Sequence, residues 1–236
     1  MAQEKLLQIE QLSAWYSKEK RILTDFSIEL GDHEVVGLIG LNGAGKTTFM
    51  KSLAGLLPTC QMKEAIFQGK KLNFRDNSFK TKRYVVFAEE HSFQYFTFNE
   101  YIGYVAASYG KELTDVEELV QGFHFEAYTD VLLKELSTGN LKKAYLITAF
   151  ALKPELLLLD EPVNGLDFQS TEYLYQWMEA YKKYGTLLFS SHILESISLT
   201  SDRVMVLENG RIKKIFEQEE INAQNIREVL SKDEPI

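Results

Sequence analysis

One stretch restricts the fold more than any other. Val35 to Ile39 is a short, continuously apolar run, and Gly40-Leu41-Asn42-Gly43-Ala44-Gly45-Lys46-Thr47 follows it directly. From Thr47 to Leu57 the sequence reads as a helix that ends before Pro58. Strand, glycine-rich turn and helix with the spacing G-x-x-x-x-G-K-T predict a phosphate cradle. Glycine lets the backbone curl so that successive N–H groups converge on one anion. The positive end of the following helix adds to that field. Lys46 is placed to reach the β- and γ-phosphates of a nucleotide, and Thr47 to put its hydroxyl on Mg²⁺. Thr48 can hold phosphate through its backbone or side chain. The alternative is a glycine-rich turn without a ligand. The spacing, the context and the Lys-Thr pair all weigh against it.

A second motif supports the first. Leu156-Leu157-Leu158-Leu159 is followed by Asp160-Glu161. Four leucines suit a central parallel strand covered on both faces. The acids then emerge at its carboxyl end, where open α/β sheets bind ligands. Asp160 is placed to hold Mg²⁺, directly or through water. Glu161 is placed to polarise an attacking water.

Strand and helix patterns alternate along the chain, so the fold class is α/β with a P-loop NTPase core. Ile22, Phe26, Ile28 and Leu30 keep a period-two register; Tyr84 to Phe87, Thr186 to Ser190 and Arg203 to Leu207 also read as strands. Asn209-Gly210 is a hairpin signal leading into Arg211 to Phe216. Helices are expected over Glu100 to Tyr109, Asp115 to Gly122, Asn140 to Leu152 and Gln169 to Tyr184. The organisation expected is a single domain over 1–236. Residues 1–88 and 154–216 form its α/β core, 89–153 an inserted helical subdomain, and 217–236 a short helical tail.

Composition excludes several classes. The 236 residues carry a formal net charge of −8, which argues against nucleic acid as a partner. A single cysteine, Cys60, allows neither an intramolecular disulfide nor a Cys-rich metal site, and fits a reducing compartment. The longest apolar run, Ala144 to Leu152, falls short of the roughly 20 residues a spanning helix needs. The first residues, MAQEKLLQIEQL, carry acids where a signal peptide would be basic. A cytoplasmic chain is expected, reaching a membrane only through a partner.

Further motifs stand in a fixed order around these two. Leu136-Ser137-Thr138-Gly139-Asn140 precedes the acidic strand by about twenty residues. Asn164-Gly165-Leu166-Asp167 follows that strand, and Ser190-Ser191-His192 follows the next. The set resembles the signature motif, D-loop and switch histidine of the ATP-binding cassette (ABC) ATPases, and covers about residues 6 to 216. Tyr16 lies where that family places an aromatic ring over adenine. The resemblance implies that two cassettes, identical or not, stack head to tail around two ATP molecules. Ser137, Thr138, Gly139 and Asn140 of one would meet the γ-phosphate on the other, with Asp167 beside them. His192 would sense the γ-phosphate, and Glu161 would be the catalytic base. Independently of the family, Ser137 is a good N-cap for a helix starting near Asn140, and such a start attracts anions. His33, His91 and His124 sit in no recognisable site and are expected to be structural.

Several positions depart from the family pattern. Glu89 or Glu90 stands where a metal-touching glutamine is usual, and a carboxylate can still reach a hard cation. Thr138 replaces a glycine, Asn140 a glutamine, and Lys142-Lys143 follow where an arginine is usual. Leu41 stands where a proline is frequent.

Four aromatics in His91 to Phe98 are either core packing or a groove for a membrane subunit. The resemblance favours an ATPase subunit bound to separate membrane permeases. A soluble mechanoenzyme acting on ribosomes, DNA or Fe–S assembly is the alternative. With only about twenty residues after Phe216 and the stretch Thr97 to Ile102 (TFNEYI), the chain looks closer to exporter-type cassettes.

Overall fold

The computed structural model describes residues 4–17, 20–89 and 91–231. Among them the chain begins with two long strands, β1 (Lys5–Ser17) and β2 (Lys20–Gly31), then β3 (Val35–Ile39) and helix α1 (Lys46–Leu53). Three short strands follow, β4 (Cys60–Gln61), β5 (Glu64–Phe67) and β6 (Lys70–Lys71), with one helical turn, α2 (Asn77–Lys80), and strand β7 (Arg83–Val86). The helical stretch holds α3 (Phe98–Tyr109), α4 (Val116–Gly122) and α5 (Thr138–Leu152). The remainder is β8 (Leu156–Asp160), α6 (Phe168–Ala180), β9 (Thr186–Ser191), α7 (Leu194–Thr200), β10 (Arg203–Glu208), β11 (Arg211–Glu217) and α8 (Ala223–Ser231).

A six-stranded sheet in the order β11-β10-β3-β9-β8-β7 divides the molecule. Its neighbours pair in parallel except β11, which joins β10 by an antiparallel hairpin. Alternate side chains of each strand enter different cores, as the pleat requires. Val35, Ile39, Leu157, Leu159, Leu187, Phe189, Val204 and Val206 pack with α3, α4, α5 and α6. Val36, Leu38, Leu156, Leu158, Leu188, Met205 and Leu207 pack with α1 and a second, antiparallel sheet built on β1 and β2. A strand buried on both faces needs apolar residues at every position. That is why β8 reads as four consecutive leucines.

Helix starts shift by one or two residues from the expectation, and two helix ends shift further. The first helix stops at Leu53, not Leu57. Gly55 donates to Ser52 O and Leu56 to Lys51 O, a Schellman closure that ends the helix before Pro58 is reached. The long helix after residue 168 ends at Ala180 and tightens into a 3₁₀ turn over Tyr181–Lys183. The buried Tyr181 hydroxyl donates to Pro154 O at 2.7 Å and anchors that turn.

Of the second sheet the sequence signalled β2, whereas β4, β5, β6 and α7 had no clear signal. Strands as short as β4 and β6 exist only because β1 and β5 pair with them. Asn209 and Gly210 adopt positive φ (48° and 75°), the pair that a type I′ hairpin requires.

Candidate nucleotide site

The cradle closes β3 and opens α1. Gly45 precedes the helix with φ 114°, a left-handed value open to glycine, and a Cβ there would lie 2.7 Å from the Leu23 side chain. Gly210 of the β10–β11 turn donates its N–H to Ala44 O at 3.1 Å, so the hairpin braces the loop from behind. In front lies a cavity of about 300 Å³. Asn42, Gly43, Ala44, Gly45, Lys46, Thr47 and Thr48 line it, together with Lys20, Ile22 and Glu161. Lys46 is buried, and its ammonium donates to Gly40 O at 2.7 Å.

The acidic strand ends in two carboxylates: Glu161 lines this cavity, and Asp160 is bound to Thr47, which lines it. Asp160 is fully buried, and both its oxygens are bound: Oδ2 accepts from Thr47 Oγ1 at 2.7 Å and Oδ1 from Ser190 Oγ at 2.6 Å. A buried carboxylate is tolerated only when satisfied in this way. Burial of the leucines beside it, about 1.5–3 kcal/mol each as an upper figure, holds the strand in place.

Glu161 has φ 48°, an uncommon value for a non-glycine residue that carries strain on the order of 1–3 kcal/mol. Its N–H donates to Ser190 Oγ at 3.0 Å, which helps to hold the turn. One carboxylate oxygen then lies 3.7 Å from Lys46 Nζ, and the other 2.7 Å from His192 Nδ1. A carboxylate can only accept, so that bond places the proton on Nδ1. The His192 backbone N–H points at the same oxygen at 3.3 Å.

Thr47 Oγ1 and Asp160 Oδ2 form a pair of hard oxygen donors, the type Mg²⁺ prefers. Among the described residues, no group of three or more His, Cys, Asp or Glu could hold a metal alone. A cation that takes most of its ligands from phosphate and water needs no such cage. The donor set therefore fits Mg²⁺.

The loop 137–140 stands apart from this cavity. Ser137 caps α5, accepting the Asn140 N–H at 3.3 Å, and Ser137 and Thr138 are exposed. Gly139 lies against the 164–167 turn: a Cβ there would sit 2.4 Å from Gly165 O. Asp167 caps α6 through Ser170 and pairs with Lys143 Nζ at 2.7 Å. The Lys143 hydrogen bond, followed by the Ser170 N–H, holds the Asp167 carboxyl well below the usual carboxylate range.

The comparisons decide the family. The sequence model of the ABC transporter family matches residues 23–164. A putative ABC transporter ATP-binding protein of Bacillus subtilis (strain 168), AlbC, is 34% identical over 89% of this chain and 91% of its own length. The chain belongs to the ABC transporter family. It is an ATP-binding subunit of that family, an ATPase. The energy-coupling factor transporter ATP-binding protein EcfA2 of Clostridium perfringens (strain 13 / Type A) is 33% identical over 87% of this chain and 78% of its own. A solved ATP-binding subunit of an ABC transporter superposes with a TM-score of 0.82, at 27% identity, over 96% of this chain and 95% of that one.

Within this ABC subunit, the fold gathers Lys46, Thr47, Thr48, Asp160, Glu161 and His192 into one place. Gly40 and Leu41 belong to the same loop, with Leu41 turned out to solvent. Tyr16 is exposed near the end of β1, and Glu89 is exposed just past β7. Neither lines the cavity, nor do Ser137, Thr138, Gly139, Asn140 or Asp167. Glu90, the other candidate for the Glu89 role, lies outside the described residues. Sequence reasoning gave no role to Ser190, Lys20 or Ile22. Ser190 was visible as the serine ending an apolar strand, but its link to Asp160 depends on how β8 and β9 align.

The aromatics after Glu89 divide between two uses. Phe98 is fully buried and Phe96 packs against the core, whereas Phe93 and Tyr95 are exposed. Phe93 meets the rings of Phe96, Tyr101 and Tyr104 at 5.2–5.4 Å between centroids. It also lines a cavity of about 260 Å³ with Leu56, Tyr84, Phe87, Tyr109 and Tyr145. Among the described residues no helix is long and apolar enough to cross a membrane.

Proposed function

We propose that this subunit powers an exporter from the cytoplasmic face of a membrane. Two cassettes, identical or homologous, close on two ATP molecules and drive separate permease subunits. The observation that carries the reading is the Glu161 carboxylate, held between Lys46 and His192 at the mouth of the P-loop cavity. Lys46 donates to Gly40 O of its own loop. The phosphates of ATP offer stronger acceptors and draw Lys46 and the loop amides onto the β- and γ-oxygens. Glu161 then orients the water that attacks the γ-phosphate, and His192 keeps that carboxylate and the phosphate in line. Thr47 and Asp160 would hold Mg²⁺ with Glu89 as a further oxygen donor. Bound there, Mg²⁺ would supply positive charge to the transferring group.

Ser137, Thr138, Gly139 and Asn140 serve the ATP of the opposite cassette, with Asp167 fixing their loop. Exposed Tyr16 is available to stack on adenine. The exposed rings Phe93 and Tyr95 beside the 260 Å³ cavity are the anchors for a permease segment. Export is the direction supported by the Thr97–Ile102 stretch.

The test is to express the chain with candidate membrane proteins and reconstitute what co-purifies. The expected outcome is a membrane complex that hydrolyses ATP and moves solute away from the nucleotide side. Phe93→Ala or Tyr95→Ala should weaken its assembly without loss of ATP binding. Recovery with ribosomes or nucleic acid, and with no membrane protein, overturns the reading.

A further inference from the structure

Helix α5 carries two adjacent lysines in its second turn, and both are buried. Lys142 is 6% exposed and Lys143 5%. A buried ammonium is costly unless its donors are used, and these two are used in different directions. Consecutive positions on a helix do not share a face. Lys143 reaches Asp167 on one side. Lys142 reaches the other side, where its Nζ donates to Phe87 O at 2.9 Å and to Ala88 O at 3.0 Å. One turn further on, the Tyr145 hydroxyl donates to Ser92 O at 2.7 Å. The start of α5 is thus fastened to Phe87, Ala88 and Ser92 as well as to the 164–167 turn. Glu89 is the residue immediately after the two carbonyls that Lys142 holds.

We propose that Lys142 is a positioning residue: by clamping the Phe87 and Ala88 carbonyls to α5, it makes the placement of Glu89 depend on the placement of the Ser137–Asn140 loop. This rests on the reading of Glu89 as a metal-side oxygen donor given above. Lys142 does not line the P-loop cavity. It acts through the backbone of the strand end. Charge-assisted bonds to a carbonyl are roughly twice as strong as neutral ones, so an ammonium is a firmer clamp than an uncharged side chain would be. Moving α5 relative to the sheet must drag residues 87–88, and the Glu89 carboxylate with them. The link needs no contact between Glu89 and the signature loop.

The test uses Lys142→Met, which keeps the apolar stem and removes the charge, and Lys142→Arg, which keeps the charge. Four readings are taken: amide hydrogen exchange in the ligand-free chain, ATP affinity, kcat against KM for ATP, and the Mg²⁺ concentration at half-maximal turnover. For Lys142→Met, exchange at residues 87–92 should rise about tenfold or more, the size expected for loss of a charged hydrogen bond. ATP affinity and KM should stay within about twofold, because the P-loop cavity is untouched, while kcat falls about tenfold and the Mg²⁺ requirement rises several-fold. Lys142→Arg should restore most of both. Wild-type kcat and Mg²⁺ dependence in Lys142→Met overturn the proposal. So does a uniform loss of stability that Arg fails to rescue. Should the Met variant not fold, Lys142→Gln, a neutral donor, decides on the same readings. Absence of ATPase activity in the unaltered protein would sink the proposed function, while the exchange comparison at 87–92 would still decide the clamp.

Discussion

Residues 40–48 and residues 137–140 both lie at the front of a helix, and the molecule treats them in opposite ways. The start of α1 faces a cavity of about 300 Å³, with walls from the β1–β2 region and from the end of β8. It has Lys46 and Glu161 in its lining, with Asp160 bound to Thr47 and Ser190, and His192 bound to Glu161. The start of α5 has its serine turned to cap its own helix, is closed on one side by Gly165, and leaves Ser137 and Thr138 exposed. Both helix starts present N–H groups and a favourable dipole. Only the first lines a cavity with a lysine and a carboxylate in it. A helix start is therefore half of an anion site, and the surroundings decide whether the other half comes from the same chain.

The comparison can be broken most severely at Glu161. Glu161→Gln should lower steady-state turnover by about 10³-fold, within the range for a lost general base. It should leave ATP binding intact and shift the chain toward a dimer in ATP, as seen by gel filtration. Turnover close to that of the unaltered chain would remove Glu161 from its assigned role.

A smaller effect is expected at Gly139. The Cβ of Gly139→Ala meets Gly165 O, a backbone atom that cannot swing aside. Overpacking of this kind costs about 1–3 kcal/mol. Turnover should fall while ATP affinity measured on dilute, monomeric chain is unchanged. An equal fall in both would mean that the two helix starts are not separate devices.

The smallest effect belongs to Asp167. Asp167→Ala removes the N-cap of α6, worth about 1 kcal/mol, and leaves buried Lys143 without its carboxylate. The Asp167 carboxyl is held below its usual value, so its contribution is complete above about pH 4 and fades as pH falls through the lower folded value. Half-exposed Asp167 makes this contribution modest. Thermal midpoints of the two proteins should differ at neutral pH and draw together in strong acid. A gap that persists unchanged at low pH would show that it does not come from the ionised carboxylate.

Much of the cradle was legible in the sequence because its determinants are local. The G-x-x-x-x-G-K-T run dictates a turn between β3 and α1, four leucines dictate a strand covered on both faces, and Asn209-Gly210 dictates a hairpin. Ser137 as the cap of α5 is equally local. What could not be read is what distant segments do for one another. Ser190 serves Asp160 from 30 residues away, Lys142 reaches back 55 residues to Phe87, and Gly210 supports Ala44. Nothing in a lysine pair on a helix says which loops it will hold.

The sequence by itself determined the chemical groups and the local conformations that present them: glycines where the backbone must curl, a lysine and a threonine at the helix start, acids at the end of an apolar strand. These follow from steric and hydrogen-bonding preferences that act within a few residues. Tertiary structure alone decided the alignment of β8 with β9 and β3, which brings Asp160 to Thr47 and Glu161 to His192. It also decided the packing of α5, which points one lysine at each neighbouring loop. Those choices depend on burying a sheet between two cores, and no single segment contains that information.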